Sequence, residues 1–284
     1  MHPAWLALAL GVTLGGVNAA STTDSAPTGS TAPEDPFLWL EDIHGERALD
    51  WVKQENARTA ARFIDTPQFA RTQAALLEVL DSEARIPYVS RMGGYLYNFW
   101  RDQAHPRGVW RRTTLDEYAK AEPRWEVLLD IDALNQAEGQ RWVFKGVRCL
   151  KPAYERCLVS LSPDGGDAVA TREFSIPDKA FVQNGFALPV AKSQVGWIDR
   201  DHLYVGTDFG PGSMTASSYP RIAKVWRRGT PLAAAETVYE GRTDDLAVSA
   251  RHDPTPGFER DFVDVAHDFY HASLFQRVDG KLVK

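Results

Sequence analysis

From Ile86 onward the chain abandons any helical period. Its apolar residues fall into short runs of four to eight, many alternating with polar residues, and the runs are separated by Gly, Pro, Asn and Asp. This pattern confines most of the chain to antiparallel strands joined by tight turns. The first group of runs is Ile86 to Arg91, Tyr95 to Arg101, Val109 to Thr113 and Trp125 to Ile131, with Met92-Gly93-Gly94 as a hairpin turn. A second group is Trp142 to Cys149, Arg156 to Leu161 and Ala168 to Phe174, in which Ser162-Pro163-Asp164-Gly165-Gly166 supplies sound turn chemistry. A third is Gln194 to Ile198, His202 to Thr207, Ile222 to Arg227 and Glu236 to Tyr239. A fourth is Leu246 to Ala250, Phe262 to His267, Ala272 to Val278 and Lys281 to Lys284. Groups of about four strands recurring every ~50 residues fit a β-propeller, and a single large β-sandwich fits the same spacing. No blade motif recurs cleanly, so spacing alone leaves both open.

The stretch ahead of these strands is different. Leu49, Val52, Asn56, Ala60 and Phe63 recur at helical spacing, with charged residues elsewhere around the helix. Asp65-Thr66-Pro67 stops that helix and starts another, Thr66 as cap and Pro67 at the first helical position. Phe69, Gln73, Leu76, Leu77 and Leu80 carry the second stripe. Two such stripes cannot bury each other completely, so they call for a third surface.

Trp5 to Val17 form an apolar run too short to span a bilayer, followed by a Val17-x-Ala19 cleavage pattern. Residues 1–20 therefore read as a secretory signal peptide, although no Lys or Arg precedes the run; a disordered apolar start is the alternative. Residues 21–35, rich in Ser, Thr, Pro, Ala and Gly, read as a linker. The expected organisation is a signal over 1–20, a linker over 21–35, a helical segment over 36–82 and a β domain over 83–284. The signal implies a secreted or periplasmic protein; without it the protein would be cytoplasmic. A net charge of −6 with no long basic run argues against nucleic acid and against anionic membrane surfaces.

Several motifs settle the architecture by resemblance. Asp35-Pro36-Phe37-Leu38-Trp39-Leu40-Glu41-Asp42 and Trp51-Val52-Lys53-Gln54-Glu55-Asn56 resemble the amino-terminal signature of prolyl oligopeptidase-type serine peptidases. Trp110 to Tyr118, Trp125 to Asp130, Glu155 to Ser162 and Tyr204 to Gly210 are similar in the same order. The resemblance runs from about residue 34 to the end of the chain. It implies a mainly β fold, a partial seven-bladed-type β-propeller of about four blades preceded by an amino-terminal helical segment. It also implies that complete members cleave short peptides after proline with a Ser, His and Asp triad carried by an α/β-hydrolase domain. In such members the propeller limits entry to small peptides, and the amino-terminal helices pack on the hydrolase domain.

The nucleophile elbow of that domain, Gly-x-Ser-x-Gly, does not occur here. Gly210-Pro211-Gly212-Ser213 comes nearest, but position 215 is Thr and the surroundings read as a loop. No catalytic residue of the family is therefore carried over. The chain is expected to stop near a fourth blade and to be inactive alone. It would be the gating part of an incomplete peptidase, one half of a split peptidase whose hydrolase domain docks separately, or a non-catalytic propeller that binds a peptide or protein.

The remaining constellations have bland readings. His267 and His271 sit on a strand and turn, where a spacing of four does not converge on a metal. The carboxylate pairs Asp130 and Asp132, and Asp244 and Asp245, read as solvated turn residues. The tryptophans read as core rather than carbohydrate platforms. No Gly-rich phosphate loop precedes a helix, and no cofactor or metal is expected. Cys149 and Cys157 are the only cysteines and flank a turn between two strands. In an oxidising compartment they would form a disulfide; otherwise they are two small buried hydrophobes.

Overall fold

The computed structural model describes residues 35–82 and 84–284. The expected signal peptide and nearly all of the linker lie outside the described residues. The chain forms two compact units, one up to Arg71 and one from Thr72.

In the first unit a 3-10 turn at Leu38–Glu41 precedes helix α1, Glu46–Thr59, which runs on into a π-turn at Ala60–Ile64. Trp39 meets Trp51 edge to face at 6.2 Å, and the Arg47 guanidinium lies 4.1 Å over the Trp39 ring, so the turn is pinned to the helix by aromatic contacts. Helix α2, Pro67–Asp81, begins in the first unit and continues into the second, and it starts as the sequence implies: the Thr66 hydroxyl accepts from the Phe69 amide at 3.2 Å. The stripes themselves are open. Leu49 is 43 % exposed, Val52 41 % and Phe63 57 %. On α2, Leu76, Leu77 and Leu80 are also exposed.

The second unit is a partial β-propeller of four antiparallel sheets in chain order. Blade 1 comprises β1 (Ser90–Met92), β2 (Tyr95–Trp100), β3 (Val109–Thr114) and β4 (Glu126–Asp130). A short helix, α3 (Leu115–Tyr118), joins β3 to β4. Helix α4 (Ile131–Glu138) leads to blade 2, whose first three strands are β5 (Val143–Cys149), β6 (Arg156–Ser162) and β7 (Val169–Ser175). The outer edge of β7 is covered by two pieces, β8 (Ala180–Phe181) and β9 (Ala187–Ala191). Blade 3 comprises β10 (Gln194–Trp197), β11 (His202–Gly206), β12 (Ile222–Arg227) and β13 (Glu236–Glu240). Blade 4 comprises β14 (Ala247–Asp253), β15 (Arg260–Ala266), β16 (Ala272–Val278) and β17 (Lys281–Val283).

The core lies between blades, which explains why the middle strands are apolar on both faces. In β6, Cys157, Val159 and Leu161 pack with Tyr97, Trp110 and Leu128 of blade 1. Leu158, on the opposite face, packs with Phe186, Trp197, Leu203 and Trp226 toward blade 3. Period-two alternation thus serves two interfaces, and the strand reads as a nearly continuous apolar run. A third cluster joins Ala223 of blade 3 to Val248, Val263 and Val265 of blade 4. Full burial of one such side chain stabilises by about 1.5–3 kcal/mol.

Three local expectations differ from the structure. Residues 86–89 do not form strand: Pro87 has no amide to donate, and the Tyr88 carbonyl is taken by the Asn98 side chain at 2.8 Å. Ile131 does not close a strand but opens α4, because the Asp130 carboxylate accepts from the Ala133 amide at 3.0 Å and caps the helix. Blade 2 has its fourth position, hidden because Asn184, Gly185 and Pro189 interrupt it.

Candidate functional site

The residues singled out above end in four separate places. Cys149 and Cys157 stand directly opposite each other in the β5–β6 ladder, with their sulfurs joined at 2.02 Å. Cys157 is fully buried and packs in the interface with blade 1.

Ser213 lies in the long β11–β12 connection. Its hydroxyl accepts from the Phe209 amide at 2.9 Å and lies 2.6 Å from the Gly210 carbonyl and 3.2 Å from Asp208. It is 4 % exposed. Three local partners and this burial make it the clasp of a loop. No histidine is among those partners, and a serine nucleophile requires a base in contact.

The two histidines part company. The His271 ring turns back on Asp268 of its own turn, with Nδ1 2.8 Å from the carboxylate, and is exposed. The His267 ring points inward. Its Nδ1 lies 2.7 Å from Asp245 and its Nε2 2.9 Å from the Ser273 hydroxyl. The reading of Asp245 as solvated is therefore corrected: it is 3 % exposed, whereas its neighbour Asp244 points to solvent. Burial raises the Asp245 carboxyl, but the hydrogen bonds from His267 and the Arg242 amide overcome it and hold the group below its ordinary range. Asp130 and Asp132 are likewise employed, Asp130 capping α4 and Asp132 accepting from the amides of Arg107 and Gly108.

Asp245, His267 and Ser273 make the hydrogen-bonded order of a hydrolytic triad, and sequence reasoning missed them as a set. They sit 22 and 6 residues apart at strand ends, so no local spacing announces them. Geometry alone does not make them a catalytic centre. Ser273 is a ladder residue paired with Val265, and it is 9 % exposed. None of the three lines the clefts around Trp100, Leu158, Arg228 or Leu150. A nucleophile needs room for a substrate carbonyl and donors for its oxyanion. The chain of contacts instead ties the loop before β14 to the β15–β16 turn and fastens blade 4 at one end.

A second buried polar knot joins blades 2 and 3. Glu173 in β7 is 2 % exposed. Its carboxylate accepts from the Phe186 amide at 3.0 Å and from Arg228 Nη1 and Nη2 at 2.8 and 3.1 Å. Arg228 also donates to the Arg200 carbonyl and meets Asp201 at 3.2 Å. Burial pulls the Arg228 pKa down, and its bonds to Glu173 outweigh that and raise it. Like the Asp245 cluster, this is scaffold: it holds blades in register.

Comparison with known proteins identifies the family of this fold. A sequence model described as the prolyl oligopeptidase N-terminal beta-propeller domain matches residues 21–253. An uncharacterized peptidase of Sinorhizobium fredii is 39 % identical over 231 residues, covering 80 % of this chain and 32 % of that protein. An uncharacterized peptidase of Rickettsia prowazekii is 30 % identical over 221 residues, covering 75 % of this chain and 30 % of the relative. Among solved structures, a post-proline cleaving enzyme from Rickettsia typhi superposes with a TM-score of 0.77 at 30 % identity, over 84 % of this chain and 36 % of that one. Oligopeptidase B from Leishmania major shares the fold, with a TM-score of 0.65 at 15 % identity over 87 % of this chain and 34 % of that chain. The chain thus spans about a third of the length of the relatives it matches.

Proposed function

The chain belongs to the prolyl oligopeptidase family, within its amino-terminal β-propeller region, and from that membership we propose that it is the substrate-gating scaffold of a serine peptidase acting on short peptides, after proline. The observation that carries this reading is the ordered match over residues 21–253 together with the superposition on a post-proline cleaving enzyme. Nucleophile, base and oxyanion donors would come from an α/β-hydrolase domain, since these 284 residues hold no Gly-x-Ser-x-Gly elbow. The exposed apolar residues Leu49, Val52 and Phe63 on one helical stripe are compatible with a partner surface of this kind. We further propose export, with processing after Ala19 or Ala20.

The test is direct. The purified chain alone is expected to leave a fluorogenic post-proline peptide intact. Joined ahead of the catalytic domain of a relative, it is expected to confer cleavage of short peptides and to spare folded proteins. Cleavage by the chain alone that survives Ser213→Ala and is titrated by a serine-directed phosphonate would overturn the reading.

A further inference from the structure

Blades 2 and 3 enclose a small pocket of about 70 Å³. Arg148, Leu158, Ser160 and Thr171 line it from blade 2, and the segment Ser193 to Val195 lines it from blade 3. Each of these blades is packed from behind by a further blade, blade 2 by blade 1 and blade 3 by blade 4. The space traces to one residue. Gly146 pairs with Ser160 in the β5–β6 ladder, and a β-carbon at Gly146 would meet no atom within 4 Å. Directly paired residues share a face of the sheet, so the missing side chain leaves room over Ser160. That face is the one on which Leu158 packs toward blade 3. The volume holds a few water-sized occupants, each of which needs roughly 10–15 Å³.

Ser160 pairs in turn with Thr171 of β7, which sets two hydroxyls side by side. Thr171 is 4 % exposed. The polar side chains around them are engaged: Ser162 meets Asp164 at 3.0 Å, and the Ser193 hydroxyl lies 2.7 Å from that of Thr207. Ser160 and Thr171 make no side-chain hydrogen bond among the described residues. The only described side-chain polar atoms sealed from both a partner and free space belong to Arg172. The Thr171 hydroxyl therefore opens into the pocket rather than onto packed atoms. A buried hydroxyl without a partner is costly, so the pocket calls for an occupant.

The charges around it select the kind of occupant. No carboxylate lines the pocket. Glu173, two residues along the same face of β7, is neutralised by Arg228. Arg148 is the one charged residue among those lining the space, and no acid pairs with it among the described residues. Water would satisfy the hydroxyls equally well, but a site with positive charge and no carboxylate favours an anion.

We propose that this pocket binds a small monovalent inorganic anion of about the size of chloride, held by the Ser160 and Thr171 hydroxyls, with Arg148 supplying the opposite charge. A hydroxyl rotates to donate to an anion, and such charge-assisted bonds are the stronger kind. The bound ion ties β6 and β7 to the start of β10, along the same seam that Glu173 and Arg228 hold.

Chloride-35 NMR of the full chain tests this, with sodium chloride titrated against sodium gluconate at constant ionic strength. Saturable line broadening that bromide displaces is expected. Crystals of the full chain grown in bromide should show an anomalous peak within hydrogen-bond reach of Thr171 Oγ1. Thr171→Val, which keeps nearly the same shape and loses the hydroxyl, should weaken chloride about tenfold, and Arg148→Gln several-fold. Ser160→Ala makes the same test should Thr171→Val fail to fold. Chloride should also raise the melting temperature of the parent above its value in gluconate, a difference that Thr171→Val abolishes. Water alone at this position in the bromide crystals would overturn the proposal without any variant. A peak without saturable binding in solution would mark an adventitious ion only and overturn it too, as would unchanged binding in a folded Thr171→Val.

Discussion

Replacing Glu173 by Ala removes the shared acceptor of the blade 2–blade 3 interface. The side chain is 1 % exposed and its partner Arg228 27 % exposed. Breaking a buried pair by deleting one member costs about 3–5 kcal/mol, because the other charge is left uncompensated. Here the Phe186 amide also loses its acceptor. Against that, Arg228 keeps the Arg200 carbonyl and Asp201, which brings the expectation to about 2–4 kcal/mol. With a urea slope of about 2–3 kcal/mol per molar for a domain of this size, the unfolding midpoint should fall by roughly 1 M. Glu173→Gln keeps an acceptor for the amide and should fall about half as far. The paired replacement Glu173→Leu with Arg228→Met should recover part of the loss, giving a coupling of about 1–3 kcal/mol in the double-mutant cycle. A Glu173→Ala midpoint within about 0.2 M of the parent, or a cycle with no coupling, would refute the claim that this pair joins the blades.

Other expectations can be checked with similar means. The Asp245 carboxyl is held below its ordinary 3.8, so its contribution is fully present above pH 3.8 and is lost as pH falls through the lower folded value; the stability gap between the parent chain and Asp245→Asn, measured by urea unfolding from pH 2 to 6, should therefore close at the acid end. Gly108 has φ +96°, and a β-carbon there would lie 2.5 Å from Phe99 and 2.9 Å from the Trp100 carbonyl, so Gly108→Ala should destabilise by about 2–4 kcal/mol and lower the melting temperature. Thiol counting under denaturing conditions, on protein from an oxidising compartment, should find no free thiol, and reduction should cost about 2–3 kcal/mol on the loop-entropy estimate; two free thiols would make Cys149 and Cys157 packing residues. Intact-mass measurement should place the mature start at Ala20 or Ser21, and a retained Met1 would count against export.

The sheet order was legible because alternation survives wherever a strand is flanked by ordinary turns. Blades 3 and 4 follow their sequence runs within a few residues, as with His202–Gly206 and Ala272–Val278. Legibility failed where a side chain rather than the backbone pattern decides. Asp130 ends β4 by capping a helix, and Pro87 with Asn98 keeps residues 86–89 out of the first sheet. The polar constellations were the least visible. Glu173 and Arg228 are 55 residues apart, and Asp245 and His267 are 22 apart. Each reads as an ordinary surface charge until the blades stack and remove the water. The same holds for Arg111, which stands between the indoles of Trp100 and Trp125.

The broken outer strand of blade 2 bears on how this molecule resists fibril growth. An unpaired strand edge recruits further strands when it is long, straight and able to donate. The rim of the propeller offers little of this. β4 and β13 are five residues each and pair with their neighbours through register shifts, and β17 is three. β8 and β9 are separated segments, and Pro189 removes a donor from the longer one. Glu126, Glu236, Glu240 and Lys281 add charge along these edges. The rim is thus a poor template for strand addition.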